Sequence, residues 1–476
     1  MFNFTTKPMA HQLEAFRRLS DQNAFALLME QGTGKTKVQI DDTLRLYLQG
    51  HIDRALVVAP NNVHWNWVDK EIPTHWPPQV EVNAFTYEQS NIPKIKSGQM
   101  TICAISYDQL ITSHGYAFVN SFLSRKSLII LDESQRIKNP QAQRTKSILK
   151  LRTMVDLRRI LSGTFVPNSP FDAFSQFLFL DPTILRTSSF YSFKAEYAEM
   201  LQPGSGLIKH IQAKGSRRVP QIVVKDRDGL PRYRNLDKLQ RLIAPHSFRV
   251  LKKDCLDLPA KVYQDIPFNM TPAQQTIYNR MRKEMRAELE SASIPMSSKM
   301  VLMGKLQQVT SGFIFDENGK PHRIHKNSLD NPRLRTLIDM VSEDPEPTII
   351  WAKYQQEIDD IMPHLSGACR YDGRSTREER RDAVDGFQSG KYMYLVANPA
   401  SDVRVGLTLT RAERTIYHSC GFNLEHRLQS EDRNHRIGTT GTVVYYDLVA
   451  RGSVDVKIAR ALQQKKDISA QINGDV

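Results

Sequence analysis

Residues 128–139 read Leu-Ile-Ile-Leu-Asp-Glu-Ser-Gln-Arg-Ile-Lys-Asn. The apolar run has the composition of a strand buried on both faces, and it delivers Asp132 and Glu133 as adjacent carboxylates at its carboxyl end. Upstream stands Gly32-Thr33-Gly34-Lys35-Thr36, after one apolar run and before Lys37-Val-Gln-Ile, a good helix start. Backbone N–H groups of such a turn and the positive end of the helix behind it converge on phosphate. The pair points to hydrolysis of ATP with Mg²⁺. Gly32, Thr33 and Gly34 would cradle the phosphates, Lys35 would neutralise the β/γ oxygens, Thr36 and Asp132 would hold the metal and Glu133 would orient water. The strict G-x-x-x-x-G-K-[ST] spacing fails only at its first position, which is Met29.

Working outward, short apolar runs alternate with amphipathic stretches from about residue 24 to 180: Phe25–Met29, Ala55–Ala59, Thr101–Ile105, Leu128–Leu131 and Arg159–Ser162. The alternation returns near residue 348, with Thr348–Ala352, Tyr392–Val396, Thr415–His418 and Val443–Asp447. This is the pattern of parallel sheets wrapped by helices. The expected fold class is α/β: two RecA-like, doubly wound parallel-sheet lobes with helical insertions between them. The expected boundaries are 1–182 for the ATP-binding lobe, 183–260 for a basic insertion and linker, 261–345 for a helical insertion and the start of the second lobe, and 346–476 for the second lobe. Between the lobes, Pro272 to Ser291 reads as a helix with Thr271 as its N-cap. The second lobe has no G-K-[ST], so only the first can hold a triphosphate.

A chain of 476 residues with 40% hydrophobic content has room for about two to four domains with cores of their own. The net charge of +14 fits a polyanionic partner without requiring one. Cys103, Cys255, Cys369 and Cys420 lie far apart with no C-x-x-C pair, which indicates neither a zinc site nor a disulfide framework. The start lacks a secretory pattern and no run reaches a membrane-spanning length, so the expectation is a cytoplasmic protein with no membrane partner, working as a monomer.

The stretch Lys209 to Lys253 is rich in Lys and Arg, including Arg217 and Arg218, and Asp228-Gly229 marks a hairpin turn within it. A basic hairpin beside a nucleic-acid path and a solvated loop are both open on charge alone. Residues 425–438 place Arg433 and Arg436 three apart, hence on one face if the segment is helical. In a lobe without a phosphate loop, such arginines would serve as fingers completing hydrolysis, against the alternative of a charged surface helix.

These motifs in this order resemble the Swi/Snf-type ATPases of helicase superfamily two, over about Lys7 to Lys457. Met29 to Thr36 resembles motif I, which tolerates a residue other than glycine at its start. Asp132 to Asn139 resembles the extended DEAH box, Leu161-Ser-Gly-Thr-Phe-Val-Pro-Asn168 motif III, Tyr371-Asp-Gly-Arg-Ser375 the DNA-side motif of the second lobe, and Gln429 to Gly438 motif VI. The resemblance implies further roles. Gln12, placed before a short amphipathic helix, would read adenine. Asn61 and Asn62 of motif Ia, Ser106 and Tyr107 of motif Ib, Lys138 and Asn139, Arg374 and Ser375, Arg404 and Phe422 would lie along DNA, joined by Arg217 and Arg218 on the DNA-side reading of the basic hairpin. Trp65 or Trp67 would be core.

The chain departs from the family at Gln135, where histidine is usual, so the link from Glu133 to motif III would be built differently. Val403 to Leu409 lacks the doubled glycine of motif V, and Phe422 replaces tryptophan. The resemblance implies an ATP-dependent translocase on duplex, forked or branched DNA. Without a chromatin-reading module, and with the chain ending soon after motif VI, fork remodelling, annealing or branch migration in recombination or repair is expected before nucleosome remodelling. Two other readings stand beside it: an RNA or single-strand unwinding helicase, and a non-catalytic DNA-binding subunit clamped by ATP.

Overall fold

Successive residues of a strand face opposite sides of a sheet, so a strand covered on both faces feeds two separate cores. The computed structural model describes residues 2–61, 63–90, 92–95, 98–201, 222–226, 230–291, 296–399 and 408–475, with the side chains of 285–291, 296–300 and Arg377 set aside. Its chain divides into two compact units, Met1–Met200 with Val223–Asp257 and Lys465–Val476, and Leu201–Ile222 with Leu258–Gln464.

In the first unit β1 (Ala24–Met29), β2 (Arg54–Ala59), β3 (Val82–Thr86), β4 (Met100–Ser106), β5 (Ser127–Asp132), β6 (Leu157–Leu161) and β7 (Ser247–Val250) form one sheet in the order β3-β4-β2-β5-β6-β1-β7. Every pairing is parallel. Leu56, Val58, Ile129 and Leu131 enter the core on one face, and Ala55, Val57, Leu128 and Ile130 the core on the other. Each such Leu, Val or Ile contributes about 1.5–3 kcal/mol by leaving water. Ser247–Val250 falls in the stretch expected as insertion and linker, and it is an edge strand of this sheet. Ile468 and Ile472, near the chain end, join the first of these two cores.

The second unit repeats the plan. Strands β8 (Lys261–Phe268), β11 (Thr348–Trp351), β12 (Ala368–Tyr371), β13 (Tyr394–Ala397), β14 (Arg414–Tyr417) and β15 (Val443–Ala450) run parallel in the order β12-β13-β11-β14-β15-β8. A small antiparallel pair, β9 (Phe313–Phe315) and β10 (Pro321–Arg323), stands apart from this sheet. The helix Pro272–Ser291 has the expected bounds, and Thr271 Oγ1 accepts from Gln274 N at 3.2 Å as its cap. Arg333, 1% exposed, anchors this unit by donating to Thr310 O at 3.2 Å, Leu448 O at 3.1 Å and Asp455 Oδ2 at 2.5 Å.

Among the described residues, no helix is long and apolar enough to cross a membrane.

Candidate active site

Ligands of open parallel sheets bind outside the carboxyl ends of the strands. In the first unit β5, β6 and β1 are neighbours in that order, with Asp132 and Leu27 both level with Leu161. The topology therefore gathers the acid pair after β5, Ser162-Gly163-Thr164 after β6 and the glycine turn after β1 on one sheet edge.

Met29 is the last residue of β1 and fully buried. The first position of the phosphate motif is thus a core position here, and a glycine would leave a void. The turn follows: Gly32 has φ 81 and Gly34 φ 87, and Gly34 caps helix α2 (Lys35–Leu48) in the left-handed region. The positive φ favours glycine at Gly34, and a Cβ there would lie 2.2 Å from Gln12 Nε2 and so displace that amide from the turn. Thr33 closes the turn, with Oγ1 donating to Glu30 O at 2.7 Å. Lys35 is nearly buried and Thr36 half-exposed at the helix N-terminus, whose first amide N–H groups have no partner within the helix. Gly163 lets the loop after β6 come close, since a Cβ there would meet Gln31 Cγ at 2.7 Å and Lys35 Nζ at 3.5 Å.

Gln12 lies inside the first turn of helix α1 (Ala10–Ser20), not before it. Its Oε1 accepts from Met9 N at 3.0 Å and its Nε2 donates to Thr33 O at 3.2 Å, which places the amide against the phosphate turn. An amide nitrogen has two donors, so one N–H remains for a ligand.

Asp132 is buried, its Oδ2 accepting from Trp67 Nε1 and its Oδ1 from Glu133 N, each at 3.0 Å. Burial pushes its carboxyl above the usual range, opposed by the indole hydrogen bond and by the Lys35 ammonium. Glu133 holds φ 50 and ψ 54, a left-handed conformation costing a residue with a Cβ about 1–2 kcal/mol. Strain of this kind collects where a side chain must be aimed. Gln135, fully buried, donates from Nε2 to Glu133 Oε2 at 2.7 Å and accepts at Oε1 from Ser162 Oγ at 2.8 Å. Ser162 Oγ in turn accepts from Thr164 N at 3.1 Å. The glutamine in place of histidine thus does connect Glu133 to motif III, through a neutral amide.

These residues fit Mg²⁺ and ATP: a buried carboxylate close enough to feel the Lys35 ammonium, and a threonine hydroxyl at a helix N-terminus that follows a glycine turn. When bound, Mg²⁺ would neutralise charge developing on the phosphate oxygens.

The expected DNA contacts fare differently. Tyr107 is 2% exposed, its ring in the core and its OH donating to Asp132 O at 2.9 Å, so its side chain supports the acid strand and reaches no polyanion. Ser106 is buried as an N-cap, its Oγ accepting from Gln109 N at 3.1 Å. Asn61 is exposed and donates to Asp108 Oδ2 at 2.8 Å. Lys138 is half-buried, its charge acting on Asp172, while Asn139 is exposed and accepts from Gln141 N at 2.9 Å. Arg374 is forked onto Asp359 at 2.9 Å and 3.0 Å and also pairs with Asp372 at 2.7 Å, so carboxylates already neutralise it. Ser375 N–H donates to Asp372 O in the same turn. Phe422 packs half-buried on the cluster of Tyr278, Leu306 and Leu424. Asn62, Arg217, Arg218 and Arg404 lie outside the described residues, as does the Asp228-Gly229 turn. Its flanks pair antiparallel, with Arg232 N donating to Val224 O at 2.9 Å.

Arg433 and Arg436 share no helix face, because the helix Leu424–Glu431 ends before them and the chain continues in turns. Nor are both solvent-facing: Arg433 is 4% exposed, and Arg436 is half-buried with Thr408 Oγ1 at 3.1 Å and Asp432 Oδ2 at 3.6 Å. Sequence reading missed Trp67 as a polar partner of Asp132. The only available signal was chemical: a buried indole N–H needs an acceptor.

A family model described as an SNF2-related domain matches residues 11–312, and one described as a helicase conserved C-terminal domain matches residues 332–438. An uncharacterized ATP-dependent helicase of Mycoplasma pneumoniae is 23% identical in a 472-position alignment that covers 94% of this chain and 40% of that protein. The DNA annealing helicase and endonuclease ZRANB3 of Mus musculus is 25% identical over 452 residues, 94% of this chain and 39% of its own length. The SWI2/SNF2 ATPase core of Sulfolobus solfataricus, solved in complex with dsDNA, aligns with a TM-score of 0.43 and 22% identity over 99% of this chain and 95% of that one. The chain spans about two fifths of the length of the two curated relatives named. With the first family model covering residues 11–312 and the second following it in order, the chain belongs to the SNF2-related family.

Proposed function

We propose that the chain is a DNA-dependent ATPase that binds Mg²⁺ and ATP in its first unit and translocates on duplex DNA, including forked or branched forms. The observation that carries this reading is the Glu133-Gln135-Ser162 relay, with the acid after β5, Ser162 after β6 and the phosphate turn after β1 on three successive strands. A relay from the water-orienting acid to a second loop is what a site needs if hydrolysis is to be felt outside the nucleotide. Lys35 and Thr36 hold the nucleotide and Gln12 reads its base. The net charge of +14 supports a polyanionic track. Similarity to the mouse DNA annealing helicase favours rewinding or branch migration over separation of strands.

The test is the steady-state ATPase rate with duplex, single-stranded, forked and four-way DNA and with RNA, side by side at one salt concentration. Duplex-containing DNA should stimulate hydrolysis at least tenfold more than RNA or single strands of equal length. Stimulation greatest with RNA would overturn the reading.

A further inference from the structure

A buried indole N–H left without an acceptor costs on the order of 1–3 kcal/mol, so the partner it takes is a structural decision. Trp67 is 2% exposed and gives its N–H to Asp132 Oδ2 at 3.0 Å. Since Glu133 N donates to Oδ1 at the same distance, the carboxylate is held at both oxygens and cannot rotate without breaking one bond. Each oxygen still has a lone-pair site for another partner.

Trp67 is itself fixed in an unusual way. It is the first residue of the π-helical segment Trp67–Glu71, and Ile72 N–H donates to its carbonyl. Such one-turn widenings are uncommon and occur often at functional sites, where they re-aim a side chain. Tyr107 adds a third support from below, through the Asp132 carbonyl. Asp132 is thus held by donors from two segments outside the acid motif, Trp67 at the carboxylate and Tyr107 at the backbone carbonyl, besides the Glu133 N–H.

We propose that Trp67 is a positioning residue for Asp132, its indole N–H holding the carboxylate in the orientation that receives Mg²⁺. This rests on Asp132 being the metal-side acid. Partners of this kind typically change metal affinity by about 10–100-fold when removed. A tryptophan that only fills the core would affect melting and leave the metal requirement alone.

The experiment uses the full chain with Trp67→Phe, which keeps an aromatic ring and deletes the donor. Binding of a fluorescent ATP analogue is titrated with Mg²⁺ and repeated in EDTA, alongside a thermal melt. The Mg²⁺ midpoint should rise about tenfold or more, while metal-free nucleotide affinity stays at the wild-type value. An unchanged midpoint overturns the proposal whether or not the melting temperature falls. Should the variant fail to fold, the wild-type protein labelled with ¹⁵N-indole decides. The Trp67 N–H resonance should shift when Mg²⁺ is added to the nucleotide-bound protein and not when nucleotide is added in EDTA. A resonance indifferent to Mg²⁺ overturns the proposal. If the wild type shows no Mg²⁺-dependent nucleotide binding at all, the reading of Asp132 fails; if it does and Trp67→Phe matches it, only the role of Trp67 fails.

Discussion

Gln135 shows how one residue can replace another by different chemistry. A histidine bridging two groups must choose a tautomer and can titrate near neutrality, whereas an amide has fixed donor and acceptor ends. Here the NH₂ faces Glu133 and the carbonyl oxygen faces Ser162, so the relay keeps one polarity across the working pH range. Hydrogen bonds to charged groups contribute about 1.5–3 kcal/mol. Gln135→Leu, close in volume and unable to bond at either end, should therefore lower kcat for DNA-stimulated hydrolysis by about 10–100-fold, with KM for ATP near the wild-type value. Steady-state kinetics check this, and a raised KM with unchanged kcat would contradict the relay. At this scale the sequence was legible where chemistry forces a residue type, as at Lys35, Asp132 and Glu133. It misled where burial decides, because nothing in Ser106-Tyr107 says that the hydroxyls cap a helix and prop a strand. Arg433 and Arg436 misled for a related reason: their spacing implies a shared face only while a helix lasts, and it ends at Glu431.

Among elements, the division between what could and could not be read from sequence follows the sheets. Strands β4, β2, β5, β6 and β1 of the first sheet and β13, β11, β14 and β15 of the second are interior, and each was legible as an apolar run. Apart from the small pair β9 and β10, the strands not foreseen, β3, β7, β12 and β8, are the edges of the two sheets. An interior strand of a parallel sheet is covered on both faces and by two neighbours, so its composition is forced. An edge strand is not: Val262 and Tyr263 of β8 remain 44% and 47% exposed, in a stretch expected as helical insertion and start of the second lobe. The buried ion pairs were equally illegible, since Arg333 and Asp455 stand far apart in sequence and meet only in the fold. Removing one member of such a pair strands the other in the interior. Arg333→Ala should cost about 3–5 kcal/mol, measured by denaturant unfolding. A loss below 1 kcal/mol would mean that water replaces the guanidinium.

For the whole molecule, one unit carries the phosphate turn, the acids and the relay, and the other repeats the parallel-sheet plan without a phosphate turn. Two units of one architecture are in keeping with the SNF2-related and helicase C-terminal domains that the chain matches in order. Translocation, as proposed, requires hydrolysis at Glu133. The most direct measurement is ATP affinity and single-turnover hydrolysis of Glu133→Gln with saturating duplex DNA. The substitution keeps the size of the side chain and a hydrogen-bonding oxygen, and removes the charge that orients water. Affinity should stay within a few-fold of wild type while hydrolysis falls by about 10²–10⁴. Hydrolysis at the wild-type rate in a variant that binds ATP normally would contradict the account.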